Sequence, residues 1–204
     1  MRNVVIFVFS IVLILTSCKE NSLKHYGHHD IDPDTMDTIF HQIPEFSFVN
    51  QNNKIISEKY LDNKITIVDF FFTTCPSICP IMTKNMQSIQ ENIGKQKGIQ
   101  FLSYTVNPEV DTVEKFQNYI LKNKIDDHNW NFLTGNKQDI YELGVYSFLL
   151  NAQEDVLAPG GFLHSEFFVL IDKKRNHRGF YDGTSEEDVE KLTKDLKTLQ
   201  NEYK

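Results

Sequence analysis

Two cysteines in this sequence are spaced for joint chemistry. Cys75 and Cys79 are separated by three residues, and each is followed by a proline. A thiolate is a nucleophile and also a soft ligand that selects Cu(I), Zn or iron–sulfur clusters. The pair can therefore hold a soft metal or exchange with a disulfide, and the alternatives are a structural disulfide or two inert core thiols. Flanking prolines are unusual beside buried structural cysteines, so we favour the reactive interpretations.

The segment before the pair predicts the elements that position it. Residues 65–72 are β-branched or aromatic with almost no polar interruption, as in a strand buried on both faces. Pro80 suits the first position of a helix, and Cys79 is expected just outside that helix because a residue before proline avoids the α region. Both sulfurs should then lie where a strand ends and a helix begins. A helix N-terminus stabilises an anion and lowers a thiol pKa by about one unit.

A single histidine is the second candidate for site chemistry. His164 follows the segment Pro159-Gly-Gly-Phe-Leu and precedes Phe-Phe-Val-Leu-Ile-Asp172, which predicts a buried strand. Considered alone, such a histidine is more often a satisfied structural residue than a ligand. The residues by themselves leave both interpretations open.

The stretch Phe-Phe-Thr-Thr-Cys75-Pro-Ser-Ile-Cys79-Pro80 resembles the Cys-Pro-x-x-Cys-Pro signature of the SCO/SenC family. Members of that family are membrane-anchored, thioredoxin-like copper proteins that serve cytochrome c oxidase assembly. The resemblance covers about residues 43–200 and implies that Cys75, Cys79 and His164 bind copper. It also implies delivery of copper to, or thiol reduction at, the copper-bearing subunit of the oxidase, with other copper or thiol-redox proteins as further partners.

Two loops depart from the family pattern. Asn107 stands where the pattern Val-Asp-Pro-x-x-Asp-Thr has aspartate, while Asp111 matches the pattern and is interpreted first as a helix cap. Thr74 and Ser77 occupy positions where many relatives carry histidine and aspartate. The loop that carries the cysteines is therefore less polar in this chain.

The order of the predicted elements indicates the fold class. An N-terminal β-hairpin is followed by strands that alternate with helices, which favours right-handed crossovers and an α/β fold with a mainly parallel central sheet flanked by helices. The family resemblance adds that this fold is thioredoxin-like. Met82 and Met86 share one face of the helix after the cysteines and are expected in the core. His177 is expected to be solvated in a turn.

The first eighteen residues are typical of a lipoprotein signal peptide. The apolar run Val4–Leu15 is too short to span a bilayer, and Leu-Thr-Ser-Cys18 resembles the bacterial lipobox, in which Cys18 receives lipid. An uncleaved signal anchor is the alternative. Residues 19–42 predict a flexible tether, and residues 43–204 predict the SCO domain. We expect the protein in the bacterial cell envelope, lipid-anchored to a membrane with its domain facing the periplasm.

Composition narrows the function further. The chain has 204 residues, of which 40% are hydrophobic and 24% charged, as in one globular domain with a tail. A net charge of −7 without a basic block argues against a nucleic-acid partner. The tether histidines are interpreted as solvated, with metal collection as the alternative: His25, His28 and His29.

We interpret the chain as a copper metallochaperone rather than an enzyme. A thiol–disulfide oxidoreductase that uses Cys75 and Cys79 is the alternative, and a redox or copper sensor would share the same residues. A peroxidase is disfavoured because the Thr-x-x-Cys arrangement typical of peroxiredoxins is absent from the sequence.

Overall fold

The computed structural model describes residues 22–94 and 96–204. The predicted signal peptide and the lipidation residue Cys18 lie outside these residues. None of the helices in the described ranges combines the length and the apolar character needed to cross a bilayer.

The described residues form eleven strands and four α-helices. The strands are β1 (Asp30–Ile31), β2 (Thr38–Ile39), β3 (Ser47–Asn50), β4 (Ile55–Ser57), β5 (Ile65–Phe71), β6 (Ile99–Thr105), β7 (Trp130–Thr134), β8 (Ala152–Glu154), β9 (Phe162–His164), β10 (Phe167–Ile171) and β11 (His177–Asp182). The helices are α1 (Cys79–Ile93), α2 (Val113–Asn123), α3 (Lys137–Glu142) and α4 (Glu186–Asn201).

Seven of the strands form one mixed sheet in the order β11–β10–β5–β6–β7–β3–β4. The central strands β5, β6 and β7 are parallel to one another, whereas the pairs on both sides are antiparallel. The prediction of a mainly parallel sheet therefore holds only for the centre. Short turns join β10 to β11 and β3 to β4, and such turns connect antiparallel neighbours without a crossover helix. The second of these pairs is the predicted N-terminal β-hairpin.

The core surrounds the end of β5 and the start of α1. Both β5 and β6 are buried along their whole length, as expected for central strands covered on both faces. The inner face of α1 packs Met82, Met86 and Ile89 into this core, which confirms the predicted position of the methionines. Helix α4 packs against α1 and β11. The strand before the cysteines is thus buried on both faces, and the helix that begins at Cys79 is packed against the core and against α4.

The two ends of segment 22–42 lie against the domain beside the edge strand β11. The backbone N–H of Tyr26 donates to the carbonyl of His177 at 3.0 Å, and β1 pairs with β2. Nε2 of His41 lies 2.8 Å from the carbonyl oxygen of Ser147. The domain boundaries remain a prediction, but the Tyr26 contact shows that the described part of the expected tether covers one backbone carbonyl that the edge strand leaves unpaired.

The histidine that we expected to be solvated is buried. His177 is the first residue of β11 and is 0% exposed. The carboxylate of Asp172 accepts hydrogen bonds from the N–H groups of Lys174 and Asn176, so the turn closes before His177 and the strand begins there. Neither ring nitrogen has a hydrogen-bond partner within the described part of the chain. Burial lowers the pKa of His177 to about 3.

We expect His177 to make the domain sensitive to acid. Its pKa is about 3 in the folded domain against 6.5 ordinarily, so the unfolded chain gains a proton first as the pH falls. Above pH 6.5, His177 does not reduce the free energy of unfolding. Below pH 6.5, it reduces the free energy of unfolding by up to about 1.4 kcal/mol for each pH unit. His177→Phe should remove this share of the pH dependence of the free energy of unfolding, measured by urea denaturation above and below pH 6.5.

The matched control for this experiment is His28→Phe, which removes an exposed histidine of the N-terminal segment. The quantity compared is the slope against pH, since a phenylalanine at position 177 also alters packing. A slope in His177→Phe equal to that of the unchanged protein contradicts the prediction.

Candidate metal centre

The helix that carries Cys79 begins at that residue. The first turn of α1 is closed by the N–H groups of Ile81 and Met82, each 3.0 Å from the carbonyl oxygen of Ile78. The prediction that Cys79 lies just outside the helix was therefore wrong by one residue. Pro80 still lies in the first turn, where its missing N–H leaves no hydrogen bond unmade.

Cys75 lies in the loop between β5 and α1. Its N–H donates to the carbonyl of Phe72 at 3.2 Å, which forms a tight turn. Inside this turn, Thr73 donates from its N–H to Oδ2 of Asp111 at 3.0 Å and from its hydroxyl to Oδ1. The Cys75 thiol is thus positioned by loop contacts and not by a helix or strand.

His164 reaches the cysteines because β10 is antiparallel to β5. In an antiparallel pair, residues that precede one strand lie beside residues that follow the other. His164 precedes β10 and Cys75 follows β5, so the pairing places both at the same end of the sheet. A parallel arrangement of these two strands would place them at opposite ends.

The His164 ring is oriented by two contacts. Its Nδ1 lies 3.2 Å from the carbonyl oxygen of Ser165, which can accept a hydrogen bond from a proton on Nδ1. With the proton on Nδ1, the lone pair of Nε2 is available to bind a metal ion. Phe72 meets the ring edge-on, with 5.6 Å between ring centroids. The imidazole therefore presents Nε2 toward the sulfurs.

A glycine lets the β8–β9 hairpin approach the cysteine loop. Gly160 has a φ of +80°, in the left-handed region. A Cβ at this position would lie 2.8 Å from Cζ of Phe72 and 3.3 Å from Cδ of Pro76. A larger residue would push the hairpin, and with it His164, away from the loop that carries Cys75.

These elements bring the three predicted ligands together. Nε2 of His164 lies 3.2 Å from Sγ of Cys79 and 3.9 Å from Sγ of Cys75. All three donor atoms lie within 4.8 Å of one another, and both thiols are free. Cys79 is 1% exposed, His164 is 7% exposed and Cys75 is 9% exposed. The centre is thus nearly closed, and Cys75 is its most accessible residue.

The two thiols share one negative charge. The hydrogen bond from Cys79 lowers the pKa of Cys75 well below its usual value, and the contact with His164 lowers it further. Burial raises the pKa of Cys79, and its bond to Cys75 raises it more. Cys75 therefore loses its proton first, while Cys79 keeps its own. A metal cation that replaces this proton makes the second thiolate favourable.

The donor set suits copper, the metal predicted from the sequence. Thiolates select Cu(I), and imidazole also suits Cu(II). Structural zinc normally has four protein ligands, and no fourth Cys, His, Asp or Glu donor joins this group among the residues that the structure describes. The hydroxyl oxygen of Ser77 lies 3.7 Å from Sγ of Cys75, as a hydrogen-bond partner of the thiol.

Asp111 has a different role from the one predicted. The N-cap of α2 is Thr112, whose hydroxyl accepts a hydrogen bond from the N–H of Lys115 at 3.3 Å. Asp111 is instead 0% exposed and accepts hydrogen bonds from Thr73 in the cysteine loop and from Thr105 at the end of β6. The sequence offers two adjacent capping residues and does not distinguish them.

A buried carboxyl inside β5 was not predicted at all. Asp69 accepts a hydrogen bond from the hydroxyl of Ser103 at 2.5 Å, and that hydroxyl accepts one from Nε1 of Trp130 at 2.8 Å. Burial raises the pKa of Asp69 to about 6. The signal in the sequence is a single acidic residue within an otherwise apolar strand.

The histidines of the N-terminal segment lie outside the three-donor group. His25 stacks on Phe40 with 3.8 Å between centroids, and His29 meets the same ring edge-on at 5.1 Å. In the described ranges, the group of Cys75, Cys79 and His164 is the one set of three such donors. The arrangement does not support metal collection by these histidines.

The sequence matches a family model and several curated relatives. The model described as SCO1/SenC matches residues 35–201. The chain is 26% identical over 193 residues to the SCO1 protein homolog of Bacillus subtilis (strain 168), with 92% of each chain covered. It is 30% identical over 159 residues to a SCO2-like protein of Rickettsia felis, with 74% of each chain covered.

Solved structures share the fold. A SCO1/SenC family lipoprotein from Bacillus anthracis is 34% identical with a TM-score of 0.71, over 78% of this chain and 95% of that one. BsSco, a member of the Sco family of cytochrome c oxidase assembly proteins, is 25% identical with a TM-score of 0.70, over 79% and 94%. Arabidopsis thaliana ScoI with copper bound is 25% identical with a TM-score of 0.64, over 78% and 98%.

The family match and the structure agree. The α/β fold is that of the SCO structures, and the matched residues include all three members of the candidate centre. The chain belongs to the SCO1/SenC family.

Proposed function

We propose that this chain is a membrane-anchored copper metallochaperone that binds copper through Cys75, Cys79 and His164 and assists maturation of the copper centre of cytochrome c oxidase. The observation that carries the proposal is the convergence of two thiols and one imidazole nitrogen within 4.8 Å. Two structural relatives support it, since one contains copper and the other is a cytochrome c oxidase assembly protein. The proposed partners are the copper-bearing subunit of the oxidase and other copper or thiol-redox proteins.

Each ligand contributes a different property. Cys75 loses its proton most readily and is the most accessible, so an incoming cation or a partner's ligand meets this thiolate first. Cys79 lies at a helix N-terminus and gives up its proton when a cation binds. His164 offers Nε2 because the carbonyl of Ser165 holds the Nδ1 side of the ring. Three protein ligands leave a position open, through which a partner's ligand can enter and remove the ion.

The same proposal includes the location and the finer fold class. Lipid on Cys18 anchors the protein to a membrane of the bacterial cell envelope, residues 19–42 connect the anchor to the domain, and the domain faces the periplasm. The apolar run Val4–Leu15 and the lipoprotein relative from Bacillus anthracis support this placement. We assign the domain to the thioredoxin-like class, supported by the dithiol at the junction of β5 and α1.

A thiol–disulfide oxidoreductase is the second candidate function. The sulfurs of Cys75 and Cys79 lie within 4.8 Å of each other, and the lowered pKa of Cys75 provides an attacking thiolate. A disulfide switch has been identified in BsSco, which favours redox chemistry at such a pair. A redox or copper sensor would use the same residues. The role of His164 distinguishes these functions, because dithiol exchange requires no imidazole ligand.

Cys75→Ser and Cys79→Ser should each abolish tight Cu(I) binding, because a hydroxyl is a hard donor that does not replace a thiolate. We expect affinity to fall by more than about 100-fold, beyond the effect of residues that only orient a ligand. Competition with a Cu(I) chelator under anaerobic conditions measures this loss. Thr74→Ser, at an exposed position of the same loop, is the control and should keep the original affinity. Undiminished affinity in either cysteine variant would rule out a centre with two thiolates.

His164→Ala should separate the two candidate functions. The Cys75–Cys79 disulfide should still form and be reduced near its original potential, because exchange needs only the two sulfurs. The thiolate-to-Cu(II) charge-transfer absorption and oxidase maturation in cells should be lost, because imidazole is a preferred Cu(II) donor. His128→Ala removes an exposed histidine and should change neither measurement. Survival of oxidase maturation in a His164→Ala protein that has lost the copper spectrum but keeps thiol exchange would favour the oxidoreductase.

A further inference from the structure

Asp111 is a fully buried carboxylate whose donors are all uncharged. It accepts hydrogen bonds from the N–H of Thr73 at 3.0 Å, from the Thr73 hydroxyl, and from the Thr105 hydroxyl at 2.5 Å. No Lys, Arg or His side chain pairs with it in the part of the chain that the structure describes. A buried carboxylate is costly unless its hydrogen bonds are made, so these three bonds tie the cysteine loop, through Asp111, to the end of β6.

The bonds from Thr73 act directly on the cysteine loop. Thr73 lies inside the turn that the N–H of Cys75 closes on the carbonyl of Phe72. Asp111 binds both the backbone and the side chain of Thr73, so this residue can neither shift nor rotate without breaking a hydrogen bond. The position of Thr73 then determines the position of the Cys75 thiol two residues later.

Cys75 is the ligand that needs such support. Cys79 is part of α1, and His164 is part of β9, so regular structure positions both of them. Cys75 lies in a loop, where its own N–H makes one turn bond. Without an external contact, this ligand would have to be ordered at the moment of binding, and that ordering would reduce affinity.

We propose that Asp111 is a positioning residue for Cys75. It holds Thr73 so that the Cys75 thiol faces Cys79 and His164 before any metal arrives. The part of this inference that concerns copper affinity rests on the proposed function. The part that concerns the order of the cysteine loop does not, because it applies to the metal-free protein.

Asp111→Asn and Thr73→Val test the inference in the metal-free, reduced protein. The first keeps the size of the side chain but removes the charge, and the second keeps the shape but removes the hydroxyl donor. In Asp111→Asn, hydrogen exchange should become at least about tenfold faster at the amides of Thr73 and Cys75, while the amides of β5 and β6 keep their protection. In Thr73→Val the increase should be smaller, because the backbone N–H of residue 73 still donates to Asp111. Thr73→Ser retains a hydroxyl and should behave like the unchanged protein. Thr74→Val makes the same substitution at an exposed neighbouring position and should have no effect.

Copper affinity provides the second measurement on the same variants. Residues that orient a metal ligand typically contribute about 10–100-fold in affinity, so Asp111→Asn should weaken Cu(I) binding within that range. Thr73→Val should have a smaller effect because the Thr73 N–H bond to Asp111 remains. Thr73→Ser should restore the original affinity.

Two results would overturn the inference. Unchanged exchange at Thr73 and Cys75 in Asp111→Asn would show that the loop does not depend on this carboxylate. Faster exchange throughout β5 and β6 would show that Asp111 stabilises the whole domain and not the cysteine loop. If the unchanged protein binds no copper, the proposed function fails, and the exchange result in the metal-free protein still decides the role of Asp111.

Discussion

Two buried thiols cannot both ionise without a cation between them, and the centre of this protein is built on that constraint. The thiol of Cys79 keeps its proton and donates a hydrogen bond to the sulfur of Cys75, which is therefore the thiolate of the pair. A fold that merely buried two cysteines would leave both protonated. Here an imidazole nitrogen lies beside both sulfurs, and a soft cation can take the place of the remaining proton. The metal-free centre can therefore accept a copper ion, because the ion replaces the proton on Cys79 and stabilises the second thiolate.

Three different kinds of local structure hold the three predicted ligands. The first turn of α1 holds Cys79, the hydrogen bonds of Asp111 hold the loop of Cys75, and the β8–β9 hairpin holds His164. They meet only because β10 runs antiparallel beside β5, which places the residues before one strand next to those after the other. Gly160 then allows the hairpin to lie against the cysteine loop without a clash. The centre can therefore form only in a sheet in which β10 is antiparallel to β5.

The sequence predicted the parts of this arrangement that depend on local signals. The apolar run of β5, the spacing of Cys75 and Cys79, and the proline in the first turn of α1 were all interpreted correctly to within one residue. His164 was predicted to be a ligand only through the family resemblance, because nothing in the sequence around a lone histidine before a strand indicates which residues it contacts. The direction of β10 was missed because hydrophobic periodicity does not encode strand direction. Asp111 and His177 were misinterpreted because their environments depend on contacts with distant or turn-closing residues, Thr73 and Asp172.

The proposed function requires that one copper ion be bound by two sulfurs and one imidazole nitrogen from this chain. X-ray absorption spectroscopy at the copper edge, on reduced protein loaded with a single equivalent of Cu(I), tests it most directly. We expect a first coordination sphere with two sulfur scatterers and one imidazole, identified by the multiple-scattering pattern of its ring. A copper ion surrounded by nitrogen and oxygen alone, or by a single sulfur, would contradict it.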